Sequence, residues 1–131
     1  MVNKTAVAII VNSKGEFLLQ KKTKNYVHSG KWGFFGGGIE NNESAEETIR
    51  RELFEELGIK FNNFKLFSKG KYMINEYKYE ESVFILRFNK NISEIRLGEG
   101  AGFAFFNKDE LSSINIFPEA RKIIEKYIKT I

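Results

Sequence analysis

The 131-residue chain has no cysteine and only one histidine, one proline and one tryptophan. Without cysteine there are no disulfides, no thiolate zinc sites and no cysteine nucleophile. The single histidine, His28, excludes any site that needs two imidazoles. No apolar run approaches the roughly 18 residues of a membrane span. The N-terminal run also lacks the small-residue cleavage site of a signal peptide. These absences predict a cytoplasmic protein of one domain, residues 1–131, with no membrane contact. What is abundant is apolar and aromatic: 42% hydrophobic residues, with 13 Phe and 5 Tyr, against 29% charged. That balance builds a buried core and does not describe a disordered tail.

Charge is unevenly placed. The net charge is +4 and the pI is near 9.2. Residues 36–59 nevertheless hold Glu40, Glu43, Glu46, Glu47, Glu52, Glu55 and Glu56 against only Arg50 and Arg51. An acidic knot inside a basic chain suggests a cation at the knot and an anionic ligand drawn by its surroundings. The absence of a reader motif or an Arg/Lys-rich helix argues against a nucleic-acid partner.

Patterning predicts an α+β fold. Residues 6–11 are a continuous aliphatic run, as in a strand covered on both faces. A turn at residues 12–15 leads to a returning strand at 16–22. A polar loop over 23–31 precedes a short aromatic strand at 32–35, which runs into Gly36-Gly37-Gly38. Ser44 with Glu47 is a capping box that opens a helix, and Gly58 closes it. Residues 64–67, 72–79 and 82–88 read as strands of an antiparallel meander. Residues 92–97 read as a further extended piece, 98–102 as a flexible loop and 103–106 as the last strand. Pro118 suits the first position of a second helix. Ala120, Ile123, Ile124, Tyr127, Ile128 and Ile131 give that helix an apolar stripe. The long strands between Tyr72 and Phe88 could pair between subunits to make a homodimer.

The chemistry is concentrated in the first helix. Glu52, Glu55 and Glu56 fall at i, i+3 and i+4 and share a face beside the core stripe of Ile49, Leu53 and Leu57. Like charges at that spacing repel, and partial burial raises the cost. A cation would offset it, and oxygen-only ligands favour Mg²⁺ or Mn²⁺ over zinc. Gly36-Gly37-Gly38 can turn tightly and bring backbone atoms to a ligand. Arg51 is placed to pair with Glu47 along the helix and with Glu43 across the loop, locking loop to helix.

Gly37, five residues, Glu43, seven residues, then Arg51-Glu52-Leu53-Phe54-Glu55-Glu56-Leu57-Gly58-Ile59 matches the Nudix box, GX5EX7REUXEEXGU with U aliphatic. All nine specified positions fit within residues 37–59. The chain thus resembles the Nudix hydrolases (MutT-like). The resemblance implies an α/β/α sandwich with a mixed sheet between helices, and metal-dependent cleavage of a nucleoside diphosphate linked to another moiety, X. It implies Glu52, Glu55 and Glu56 as metal carboxylates, with the Gly36 carbonyl as a further ligand. Glu99 resembles a distal carboxylate that serves as extra ligand or base. The implied catalytic residues are Glu52, Glu99 and Arg51, with Glu52 or Glu99 as general base. Glu43, Arg51 and Gly37 resemble the brace of the loop, and Glu40 fits an acidic position of the same stretch. The implied partner is a small nucleotide: a nucleoside triphosphate, ADP-ribose, a nucleotide sugar or a dinucleoside polyphosphate. An alternative from another class is a non-catalytic Nudix-like module that senses a nucleotide. Such modules usually lose box carboxylates, and this chain keeps them.

Two positions depart from the family's pattern. Phe35 stands where many members have proline, and Asn42 where many have glycine. Asn tolerates positive φ, so the loop shape is expected to survive. Trp32, Phe35 and Tyr77 are candidates to touch the substrate, as are Tyr72 and Phe103. Lys21, Lys22 and Lys24 form a basic cluster that could touch phosphates.

Overall fold

The computed structural model describes residues 2–22, 30–91 and 102–131. The predictions at His28, at Lys24, over residues 92–97 and for most of the 98–102 loop, Glu99 included, lie outside the described residues.

One mixed seven-stranded sheet organises the chain. Its elements are β1 (Val2–Asn12), β2 (Phe17–Lys21), β3 (Trp32–Gly33), β4 (Phe35–Gly38), α1 (Ala45–Leu57), β5 (Phe64–Ile74), β6 (Tyr77–Phe88), β7 (Phe103–Phe106) and α2 (Pro118–Ile128). A 3-10 turn, Glu110–Ser113, precedes α2. The strand path is β3-β2-β1-β6-β5, with β4 also on β1 and β7 also on β2. Among the described strands β1 and β6 run parallel, in register from Val2↔Lys78 to Asn12↔Phe88.

β1 is central, and its alternation explains the two layers. Ala6, Ala8 and Ile10 face α1, where Ile49, Leu53 and Leu57 meet them in one apolar cluster. Ile9 and Val11 point the other way, onto Ala120, Ile124 and Tyr127 of α2. The predicted α/β/α sandwich is therefore present, one core on each face of the sheet. No helix among the described residues is long and apolar enough to cross a membrane.

Local chemistry accounts for the helix ends. The Ser44 side chain accepts from Glu47 N–H, the Glu47 carboxylate accepts from Ser44 N–H, and Gly58 ends α1 at φ 72°. Asn42 adopts φ 70°, the left-handed conformation its side chain tolerates. Pro118 opens α2.

Four predictions need correction. The meander is two long strands, because Tyr72–Tyr79 contains a turn at Asn75 (φ 57°) from which Ile74 pairs with Tyr77. β1 starts at Val2, not Ala6, because the parallel partner β6 pairs with its polar first residues. Gly36-Gly37-Gly38 is not a turn: it is extended in β4, paired with Val7, Ala6 and Thr5. Ile131 lies beyond the end of α2 and is exposed, so it does not belong to the buried stripe.

Candidate active site

The site forms where α1 packs under β4. Arg51 is its hub. Its Nε donates to Glu43 Oε2 at 2.7 Å and its second amino nitrogen to Glu43 Oε1 at 3.0 Å, a bidentate pair. The same guanidinium reaches the Gly38 carbonyl at 3.2 Å, Glu52 at 3.0 Å, Glu55 at 2.9 Å and Glu40 at 3.3 Å. Glu43 is further fixed by the Thr48 hydroxyl at 2.9 Å and by Glu40 N–H at 3.0 Å. The predicted Arg51–Glu43 contact is thus formed. The predicted Arg51–Glu47 contact is not, because the capping box holds the Glu47 carboxylate against Ser44; Glu55 is the i+4 partner instead. Arg50 pairs with Glu46 at 3.2 Å.

These hydrogen bonds, that from Arg51 first, hold the Glu43 carboxyl down at about 2. A depressed carboxylate contributes stability that is present above its ordinary value near 4.5 and is lost as pH falls toward 2. Thermal unfolding of the wild type and Glu43→Gln should therefore differ most at neutral pH. The gap should close as pH drops below about 4.5. A gap independent of pH would show that the loss comes from shape alone.

Glu52 and Glu56 lie on the inner side of the helix. A Cβ at Gly37 would come within 2.5 Å of the Glu52 carboxyl carbon and of its Oε1. Gly37 is therefore the space that Glu52 occupies, a role in packing and not in turning. Burial pushes the Glu52 carboxyl up, opposed by Arg51. Glu56 is more enclosed. Its Oε1 accepts from Gly36 N–H at 3.0 Å and its Oε2 from the Gln20 amide at 2.8 Å. Burial still raises its carboxyl to about 7, against the pull of Gln20, Gly36 and Lys22. At Gly36 (φ 145°) a side chain would run into the Ala6 carbonyl and the Val7 backbone, so β4 can lie beside β1 only with glycine there.

Three residues matter more than their sequence context suggested. Gln20 is buried and donates to both Glu56 and the Phe34 carbonyl. Lys22 donates to the Phe34 carbonyl at 3.0 Å. Burial pushes the Lys22 ammonium down, while Glu56, Glu81 and Glu52 pull it back up. Lys21, its neighbour, is exposed. A polar residue closing the apolar run Phe17-Leu18-Leu19 was the available signal for Gln20. Glu81 in β6 is the third, also buried.

The aromatic candidates separate. Phe35 is fully buried in the core under α1, so its ring is packing and not a substrate contact. Trp32 is partly exposed and sits edge-on to Phe106, 4.9 Å between centroids. Tyr77 is exposed and starts β6 at the hairpin turn. Tyr72 stacks on Tyr79, and Phe103 packs on the α1-side core. Among the described residues no three acidic or histidine side chains are gathered as a cation cage. Glu55 leans on Arg51, Glu56 on Gln20 and Gly36.

The NUDIX domain model matches residues 1–127, and the chain belongs to that family. It is 36% identical over 81 residues to the RNA pyrophosphohydrolase of Pasteurella multocida (strain Pm70), covering 62% of this chain and 37% of that protein. It is 42% identical over 59 residues to the nucleoside triphosphatase NudI of Enterobacter sp. (strain 638), covering 44% of this chain and 42% of that one. These matches span less than half the length of either relative. Among solved structures, the MutT protein from Methanosarcina mazei Go1 aligns with a TM-score of 0.84 at 25% identity, over 98% of this chain and 94% of that one.

The family generally uses a divalent cation, and the groups here suit one. The α1 carboxylates and the Gly36 carbonyl, if brought together on a cation, would be an all-oxygen donor set. Glu52 and Glu56 are both pushed up by burial, which means their negative charge is only partly compensated by Arg51 and Lys22. A cation would complete that compensation.

Proposed function

We propose that this chain hydrolyses the pyrophosphate linkage of a nucleoside diphosphate joined to X, with Mg²⁺ or Mn²⁺. The observation that carries the reading is the seating of Glu52 in the space that Gly37 leaves, held there by Arg51. That arrangement fixes a partly buried carboxylate at the lip of the glycine strand, where a phosphate would lie. Glu52, Glu55, Glu56 and the Gly36 carbonyl would hold the cation. When bound, it supplies neutralisation of phosphate charge and a water of lowered pKa.

The chain's own residues do the rest. Glu52 takes the proton from the attacking water as general base. Arg51 orients Glu52 and Glu55 and ties α1 to the loop through Glu43, so the carboxylates do not splay. Lys22 offers an ammonium to the phosphate oxygens beside Glu56. Glu99 remains a second candidate base.

The relatives named a nucleoside triphosphatase and an RNA pyrophosphohydrolase support testing nucleoside triphosphates and RNA first. ADP-ribose, nucleotide sugars and dinucleoside polyphosphates complete the test panel. A cytoplasmic location, where such nucleotides are found, goes with this reading. Product release from each should be measured with Mg²⁺, with Mn²⁺ and with EDTA. Metal-dependent turnover of one class, abolished by EDTA, is expected and identifies X. Folded protein that binds nucleotide but cleaves none of the panel would favour the sensing module instead.

A further inference from the structure

The carboxylates of α1 are not held alike. Arg51 donates to Glu52 at 3.0 Å and to Glu55 at 2.9 Å, so a guanidinium charge already sits against both. Gln20 and Gly36 hold Glu56 with uncharged donors. Oε1 of Glu56 accepts from Gly36 N–H at 3.0 Å, and Oε2 accepts from the Gln20 amide at 2.8 Å. A neutral donor orients a carboxylate without cancelling its formal charge, and each oxygen keeps a further lone pair for a ligand. Lys22 also attracts Glu56, and its ammonium donates to the Phe34 carbonyl at 3.0 Å.

Gln20 is well built for this task. It is 4% exposed and lies in β2 opposite Gly33 of β3 on one side and Phe103 of β7 on the other. Strands on both sides therefore fix the point from which its side chain starts. The amide nitrogen has two N–H donors, and both are used, one on Glu56 and one on the Phe34 carbonyl at 3.2 Å. Turned over, the amide would set its oxygen against a carbonyl and a carboxylate, so its neighbours leave it one orientation. Gln20 lies outside residues 37–59, so the box itself does not specify it.

A cation binds more tightly to a carboxylate held ready, because a side chain already fixed loses no further rotamer freedom on binding. We propose that Gln20 is a positioning residue of the cation site. It holds Glu56 in one rotamer with its charge intact, so that Glu56 anchors the divalent ion. Glu52, tied to Arg51, is then left to act on the water. The proposal rests on the cation reading above and names a residue beyond the box that sets the affinity of that site.

Mn²⁺ alone is the probe, titrated into the full chain without nucleotide and followed by the electron spin resonance of the free ion. Gln20→Met keeps the length of the side chain but removes both donors. Its Mn²⁺ affinity should fall by about 10- to 100-fold, the usual worth of a group that orients a metal ligand. In a Glu56→Gln background the same substitution should cost less than about threefold, because the ligand through which Gln20 acts is already gone. A residue that merely supported the fold would cost the same in both backgrounds. If Gln20→Met does not fold, Gln20→Asn, too short to hold Glu56 in the same way, takes its place in the cycle with the same expectation. Affinity within about twofold of wild type in the Gln20 variant, or losses that simply add, would overturn the inference. Failure of the wild type to bind Mn²⁺ would overturn the cation reading and this one with it. The expected binding pattern without turnover of any nucleotide would instead overturn the hydrolase reading and leave Gln20 in its role.

Discussion

Replacing Glu52 with glutamine should lower turnover of the preferred nucleotide by roughly 10²–10⁴-fold, the usual worth of a positioned general base. The amide fills the same space beside Gly37 and can still accept from Arg51, so the fold should be unaffected. The thermal midpoint should stay within about 4 °C of wild type. The loss should appear in kcat, with little change in the nucleotide concentration that half-saturates the enzyme, because the residue acts on the water and not on the substrate's resting position. Steady-state kinetics with the cation at saturation checks this directly. Unchanged turnover would remove Glu52 from the role and leave Glu99 as the base.

Gly37→Ala should disable the site without replacing any charged residue. The new methyl would lie 2.5 Å from Glu52's carboxyl carbon, and Glu52 is held in place by Arg51 at 3.0 Å. The side chain must shift by something of the order of 1 Å, and a misplacement of that size costs about 10²-fold in rate. Gly38→Ala is the control. A Cβ there meets nothing within 4 Å, and activity should stay within about twofold of wild type. Equal effects from the two substitutions would mean that general stiffening of β4 matters, and not the seat of Glu52.

How much of this was legible in the sequence depends on how local the cause is. The ends of α1 were readable because Ser44, Glu47 and Gly58 act within a turn of themselves. Arg51–Glu43 was readable because helix spacing and one short loop fix it. The hairpin at Asn75 was missed because its flanks, Tyr72 and Tyr79, are strand-forming aromatics that mask a turn residue. The burial of Gln20, Lys22 and Glu81 was not readable, since it depends on which strands become neighbours. Glu81 meets Thr5 only through the parallel β1–β6 pairing, 76 residues apart in sequence. Phe35 looked like a stacking aromatic because it precedes the glycines, yet strand alternation turns it into the core beneath α1. Gly37 was legible as a required glycine but for the wrong reason. Its cause is the Glu52 side chain, which no reading of backbone flexibility supplies.

The most direct test of the central claim is release of nucleoside monophosphate from a nucleoside triphosphate, with wild type and Glu52→Gln assayed side by side in Mg²⁺ and in EDTA. The account predicts steady multiple turnover by the wild type in Mg²⁺, none in EDTA, and a loss of at least about 10²-fold in the variant. Turnover that persists in EDTA, or a variant as active as the wild type, would contradict it.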